Sequence, residues 1–155
     1  MIMTRTRLLI FVLMVIVALA SCCISVRPVY EDKEQALAQI AVDQFHERYN
    51  RRDYDGLYAM MAQSTQRVQS KEKAVTAMQE TVERWGKEQS SQMLFAKLFP
   101  GPPVQVRMIY NTTYEKGNAQ ERFIWTSDGK QAALLQYQVV PGWADEKTIK
   151  SLSSQ

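Results

Sequence analysis

The 155-residue chain has one histidine, His46, and only two cysteines, Cys22 and Cys23, which are neighbours. A single histidine excludes His/His and Cys/His metal clusters of ordinary spacing, and any histidine-based triad would have to use His46 itself. The six glycines are scattered, and none forms the G-x-G-x-x-G pattern that brings backbone N–H groups onto a phosphate. Serine-nucleophile signatures are absent as well. Of 19 Lys and Arg, Arg5 and Arg7 fall in the first seven residues, leaving 17 cations against 16 carboxylates in the rest. Near-balanced charge with no dense basic tract argues against nucleic acid as a partner. These absences leave no cofactor, metal or catalytic residue to be expected.

What is present begins with an export signal. Met1–Arg7 carries two arginines and no acid, Leu8–Ala20 is an unbroken apolar run of 13 residues, and Ser21-Cys22-Cys23 follows. A cationic start, a short apolar run and small residues form the secretory pattern. Spanning a hydrocarbon core takes roughly 20 residues, which argues against an uncleaved anchor. Leu19-Ala20-Ser21-Cys22 resembles the bacterial lipobox, in which a leucine and two small residues precede a cysteine that is acylated and becomes the mature N-terminus. The resemblance implies lipidation at Cys22, because a thiolate is the nucleophile such a transfer needs. It leaves Cys23 as the only free thiol of the mature chain. Retention in the inner membrane usually goes with aspartate after the lipidated cysteine, so Cys23 implies the periplasmic face of the outer membrane if the cell is Gram-negative.

The expected organisation is a signal peptide over 1–21, a tether over 22–32, one domain over 33–143 and a flexible polar tail over 144–155. Leu37, Ile40, Ala41, Phe45 and Tyr49 share one face of a helix from about Lys33 to Asn50. A short helix near Asp53–Ala62 follows the Arg51-Arg52-Asp53 break, and Ser70 caps a third helix that Gly86 ends. The period then changes to two. Val104, Val106, Met108 and Tyr110 alternate with polar residues, and the turns Glu115–Asn118 and Ser127–Lys130 separate strands carrying Phe123 and Trp125, then Ala132–Val140. Gln92–Phe99 supplies one more strand. Helices followed by about four antiparallel strands make an α+β plan, with Leu37, Ile40, Phe45, Val106, Phe123, Trp125 and Leu135 expected in the core.

That order resembles the nuclear transport factor 2-like fold, a cone of helices on a curved sheet. More narrowly it is similar to a domain-of-unknown-function family of small exported bacterial proteins. The carrying features are the segment Phe45-His46-Glu47-Arg48-Tyr49-Asn50-Arg51-Arg52-Asp53-Tyr54, the helix opened by Ser70-Lys71-Glu72, and the aromatic meander, across roughly Lys33–Val140. Cone-fold enzymes place an acid or base among tyrosines inside the cone. Here Tyr110, Phe123, Trp125 and Tyr137 are the residues that could line such a pocket. Glu121 shares their parity but is expected to be exposed near the turn at Gly117, and His46 is expected to be structural. Asn111-Thr112-Thr113 matches a glycosylation pattern by chance. The expected function is a non-catalytic accessory module, held on a membrane by its lipid and contacting an envelope protein through the open sheet face. The alternative is a small-molecule-binding or weakly enzymatic cone. What separates them is whether the aromatics fill the cone or line an opening.

Overall fold

Asp53 and Ser70 open helices where expected. The Asp53 carboxylate accepts from Gly56 N at 2.9 Å and the Ser70 hydroxyl from Lys73 N at 3.4 Å, each satisfying an otherwise orphan N–H of a first turn. The structure, a computed structural model, describes residues 29–153. The expected signal segment 1–21, Cys22 and the expected tether as far as Pro28 lie outside the described residues. The helices are α1 (Val29–Arg51), α2 (Tyr54–Ala59), α3 (Gln63–Val68), α4 (Lys71–Trp85) and α5 (Glu146–Ser153). The strands are β1 (Glu88–Phe99), β2 (Val104–Tyr114), β3 (Gly117–Ser127) and β4 (Ala132–Pro141). They form one antiparallel sheet in the order β1-β2-β3-β4, curved and unclosed, and α1 lies against all four strands. Gly86 ends α4 at φ 76°, a conformation open to glycine, and its N–H donates to Val82 O.

The structure departs from the sequence reading at several elements. Helix α1 begins at Val29, so residues 29–32 of the expected tether are helical. Helix α5 occupies the expected flexible tail, and α3 is a further short helix between Ala62 and Ser70, where the sequence reading assigned no element. The inward stripe of α1 is Ala38, Ala41, Val42, Phe45 and Tyr49, joined by Glu34 and His46. Ile40 is 54 % exposed rather than buried, and Leu37 is half-buried. The two alanines explain this: small side chains let the helix axis approach the sheet, and Leu37 and Ile40 fall on its flank.

The core member expected in β4 is also displaced by one. Trp125 pairs with Leu134 while Ile124 pairs with Gln136, so Leu135 is the extra residue of a β-bulge. Leu134 turns inward at 1 % exposure and Leu135 is only half-buried. The cause lies in the neighbouring helices. Ala62 N donates to Leu134 O at 2.8 Å, Leu134 N to Met60 O at 2.7 Å and Thr65 Oγ1 to Leu135 O at 3.1 Å, pinning this edge to the α2–α3 junction. Two further register shifts, in β1, add to the curvature. Phe45, Val106, Phe123 and Trp125 are buried as expected.

Candidate functional site

The concave side of the sheet carries one buried polar cluster. On β3 the register places Glu121 across from Tyr110, on the same face as Phe123 and Trp125. Its carboxylate is 0 % exposed, not at the surface as the sequence reading expected. The strand runs unbroken to Gly117, so Glu121 lies within the pleat rather than at a frayed end. Arg122 points to the opposite face, as alternation requires, and gives Glu121 no charge. The counter-ion comes from α1. His46 Nε2 is 2.8 Å from Glu121 Oε2, and His46 itself is 7 % exposed.

Two other donors complete the carboxylate. Thr112 Oγ1 donates to Oε2 at 2.5 Å and Tyr137 OH to Oε1 at 2.8 Å. Tyr114 OH stands 3.3 Å from Tyr137 OH, and Ser91 Oγ is 3.5 Å from His46 Nδ1. Around them Phe45 meets Phe123 edge-on at 5.3 Å between centroids, and Phe123 stacks on Trp125 at 5.9 Å. Burial disfavours the charged form of His46, yet the hydrogen bond and charge of Glu121 lift its pKa above 6.5. Burial would raise Glu121, but His46 and Thr112 together hold it below the ordinary 4.5. Both shifts favour the imidazolium–carboxylate form of the pair. Tyr49, Tyr110, Tyr114 and Tyr137 are pushed up, chiefly by burial and then by the neighbouring charges.

Three of the four residues expected to line a pocket are packed inside the domain: Tyr110, Phe123 and Trp125. Tyr137 is different. It borders a cleft of about 200 Å³ between β4 and the helices, shared with Met61, Thr65, Met78 and Thr81, and neither Glu121 nor His46 lines that cleft. Thr112, which the sequence reading saw only as part of a glycosylation pattern, is fully buried in the cluster, and Asn111 Oδ1 accepts from Ala144 N at 2.8 Å. The inward parity that Thr112 shares with Tyr110 was the one available signal for it. Glu34 is also fully buried, and neither of its oxygens has a hydrogen-bond partner. Among the described residues, no three His, Cys, Asp or Glu side chains group to hold a metal, and no helix is long and apolar enough to cross a membrane. Cys22 lies outside the described residues.

Chemically the cluster is closed on itself. Both oxygens of Glu121 already accept hydrogen bonds, and the imidazole is committed through Nε2. A general base needs a lone pair aimed at a substrate proton, and neither His46 nor Glu121 lines the cleft at Tyr137 or the one at Ile109 and Ile124. Compared with family models, curated proteins and solved structures, the chain shows no match.

Proposed function

We propose that this protein is a lipid-anchored envelope module with a non-catalytic, accessory role, contacting a partner protein through its sheet. In this reading Cys22 carries the acyl chains, and if the cell is Gram-negative the domain stands on the periplasmic face of its outer membrane. The fold is taken as a nuclear transport factor 2-like cone, supported by a long helix laid across the concave side of a curved four-stranded sheet. The observation that carries the functional reading is that the concave side is filled. Phe45, Tyr49, Met108, Phe123 and Trp125 are buried there, and the one charged pair among them is bonded internally. An anchor adds to this, because tethering raises local concentration toward other membrane-bound proteins.

Tyr137 supports the second reading, a small-molecule or weakly enzymatic site, since its hydroxyl joins Glu121 and the residue also borders a cleft. The double variant His46→Phe, Glu121→Met separates the two. It replaces the ion pair by apolar groups of similar volume, which a fold tolerates far better than loss of one partner. On the accessory reading this variant complements a deletion strain and captures the same crosslinked envelope partners as wild type. Lost complementation at normal membrane abundance moves the pocket reading ahead.

A further inference from the structure

The sheet sorts its charges by face. Its four strands contain two carboxylates, Glu88 and Glu121, and both turn toward α1, where Asn50 Nδ2 donates to Glu88 and His46 meets Glu121. The strands also contain three cations, Lys97, Arg107 and Arg122. The register turns all three to the outer face: Lys97 stands directly across from Arg107, and Arg122 across from Ile109, the next outward position on β2. Like charges opposite each other in a ladder are destabilising, and no strand offers this face an acid. Two of the three cations, Arg107 and Arg122, are in no ion pair among the described residues, and cations held in a fold without an acid to compensate them are where function is to be sought.

The two arginines are held, not loose. The Arg107 guanidinium lies 4.2 Å from the centroid of the Phe99 ring, and Arg122 Nη2 donates to Gln120 Oε1 at 3.1 Å. Their Nε atoms are buried without a hydrogen-bond partner, and neither arginine is in an ion pair among the described residues. Between them is a cleft of about 180 Å³ with Ile109 and Ile124 on its floor and Phe95 and Gln138 at its sides. An apolar floor with two fixed planar cations suits an anionic group beside an aliphatic one, and in a protein chain a carboxylate beside an aliphatic side chain supplies both. A guanidinium can take a carboxylate through two parallel hydrogen bonds, and one stacked on an aromatic ring loses little freedom in doing so.

We infer that this outer-face cleft binds an acidic, aliphatic segment of a partner protein, an inference that rests on the accessory-module reading and supplies its contact surface. A second copy presenting the same face would set arginine against arginine. An anionic bilayer is met by extended cations reaching out to headgroups, whereas these side chains lie down on the sheet. A protein segment alternating carboxylates with aliphatic residues matches both the charge and the floor.

The test uses the purified full-length lipidated chain in zwitterionic detergent and two fluorescein-labelled peptides, Leu-Glu-Ile-Glu-Leu-Asp and its counterpart with Gln and Asn in place of the acids. Fluorescence anisotropy should show binding of the acidic peptide alone, weakened by salt. Arg107→Gln and Arg122→Gln should each weaken it about tenfold. Arg122→Lys should also weaken it because lysine keeps the charge but not the fork. Lys87→Gln, away from the cleft, should leave it unchanged, with circular dichroism melts confirming that every variant folds. No binding of the acidic peptide, equal binding of both peptides, or unchanged affinity in the folded Arg107→Gln, Arg122→Gln double variant overturns the inference. So does selective binding to phosphatidylglycerol over phosphatidylcholine vesicles that the double variant loses, which would make the face a lipid surface. Envelope partners crosslinked equally to wild type and the double variant would sink this site and leave the accessory reading standing. If the wild type crosslinks to no partner, the accessory reading falls first.

Discussion

Burying a carboxylate costs least where its lone pairs are occupied, and Glu121 has three donors on them. Removing one partner of such a pair leaves a buried charge alone, so Glu121→Ala should cost about 3–5 kcal/mol, most of it recovered in the His46→Phe, Glu121→Met double variant. The linkage has a definite sign on each side. His46 is raised above 6.5, so its contribution is complete below that value and is lost as pH rises through the raised one. Glu121 is lowered from 4.5, so its contribution is complete above that value and is lost as pH falls through the lowered one. The stability difference between wild type and the double variant should therefore peak between pH 4.5 and 6.5 and shrink on both sides. Urea midpoints of both proteins, taken across the pH range, give this difference directly, and a flat profile would mean a neutral pair. The sequence displayed both residues and the parity of Glu121, but it could not join them: they are 75 positions apart, and only the seating of α1 on β3 brings them together.

At the level of elements, period and punctuation located the strands and turns well. The Asp128-Gly129 hairpin forms as read, with Asp128 Oδ1 accepting from Lys130 N and Gln131 N at 2.9 Å. Periodicity failed where a neighbour set the phase. In α1 the bulky Leu37 and Ile40 suggested one stripe, while the close-packed Ala38 and Ala41 define another. In β4 strict alternation puts Leu135 inside, but the backbone hydrogen bonds of Met60 and Ala62 to Leu134 and the one from the Thr65 hydroxyl to Leu135 O make it the bulge and give Leu134 the inward place. The two leucines are neighbours of identical chemistry, so they test this register without other variables. Leu134→Ala should cost about 2–5 kcal/mol, the range for a buried leucine that leaves a cavity. Leu135→Ala should cost about 1 kcal/mol, the centre of the range for single substitutions. Equal costs in chemical denaturation, or the reverse order, would mean that the bulge is placed wrongly.

For the whole molecule, the address and the domain are separate pieces of chemistry, and their separation can be measured. On the proposed reading the first 21 residues and Cys22 supply the address, while the buried core is built from residues between Glu34 and Leu134. Nothing in that core draws on an acyl chain, so the domain should fold to the same state with or without one. The partner contact is a different matter. A single acyl chain holds a protein on a membrane only marginally, whereas two or three, at about 0.8 kcal/mol per buried methylene, hold it stably. Confinement at the same surface then raises the effective concentration toward a membrane-bound partner by a factor that no change in the contact itself supplies. Cys22→Ser should therefore give an unacylated precursor of higher mass with the signal still attached. Its domain should keep the wild-type urea midpoint, and its capture of envelope partners should fall even though Arg107 and Arg122 are intact. Mass spectrometry of the wild type, digestion with a signal-independent protease to compare the two domains, and crosslinking in cells read the three consequences separately. A wild-type mature chain that begins elsewhere and carries no lipid would remove the anchor from this account. Undiminished partner capture by the unacylated variant would instead show that the outer face alone holds the partner.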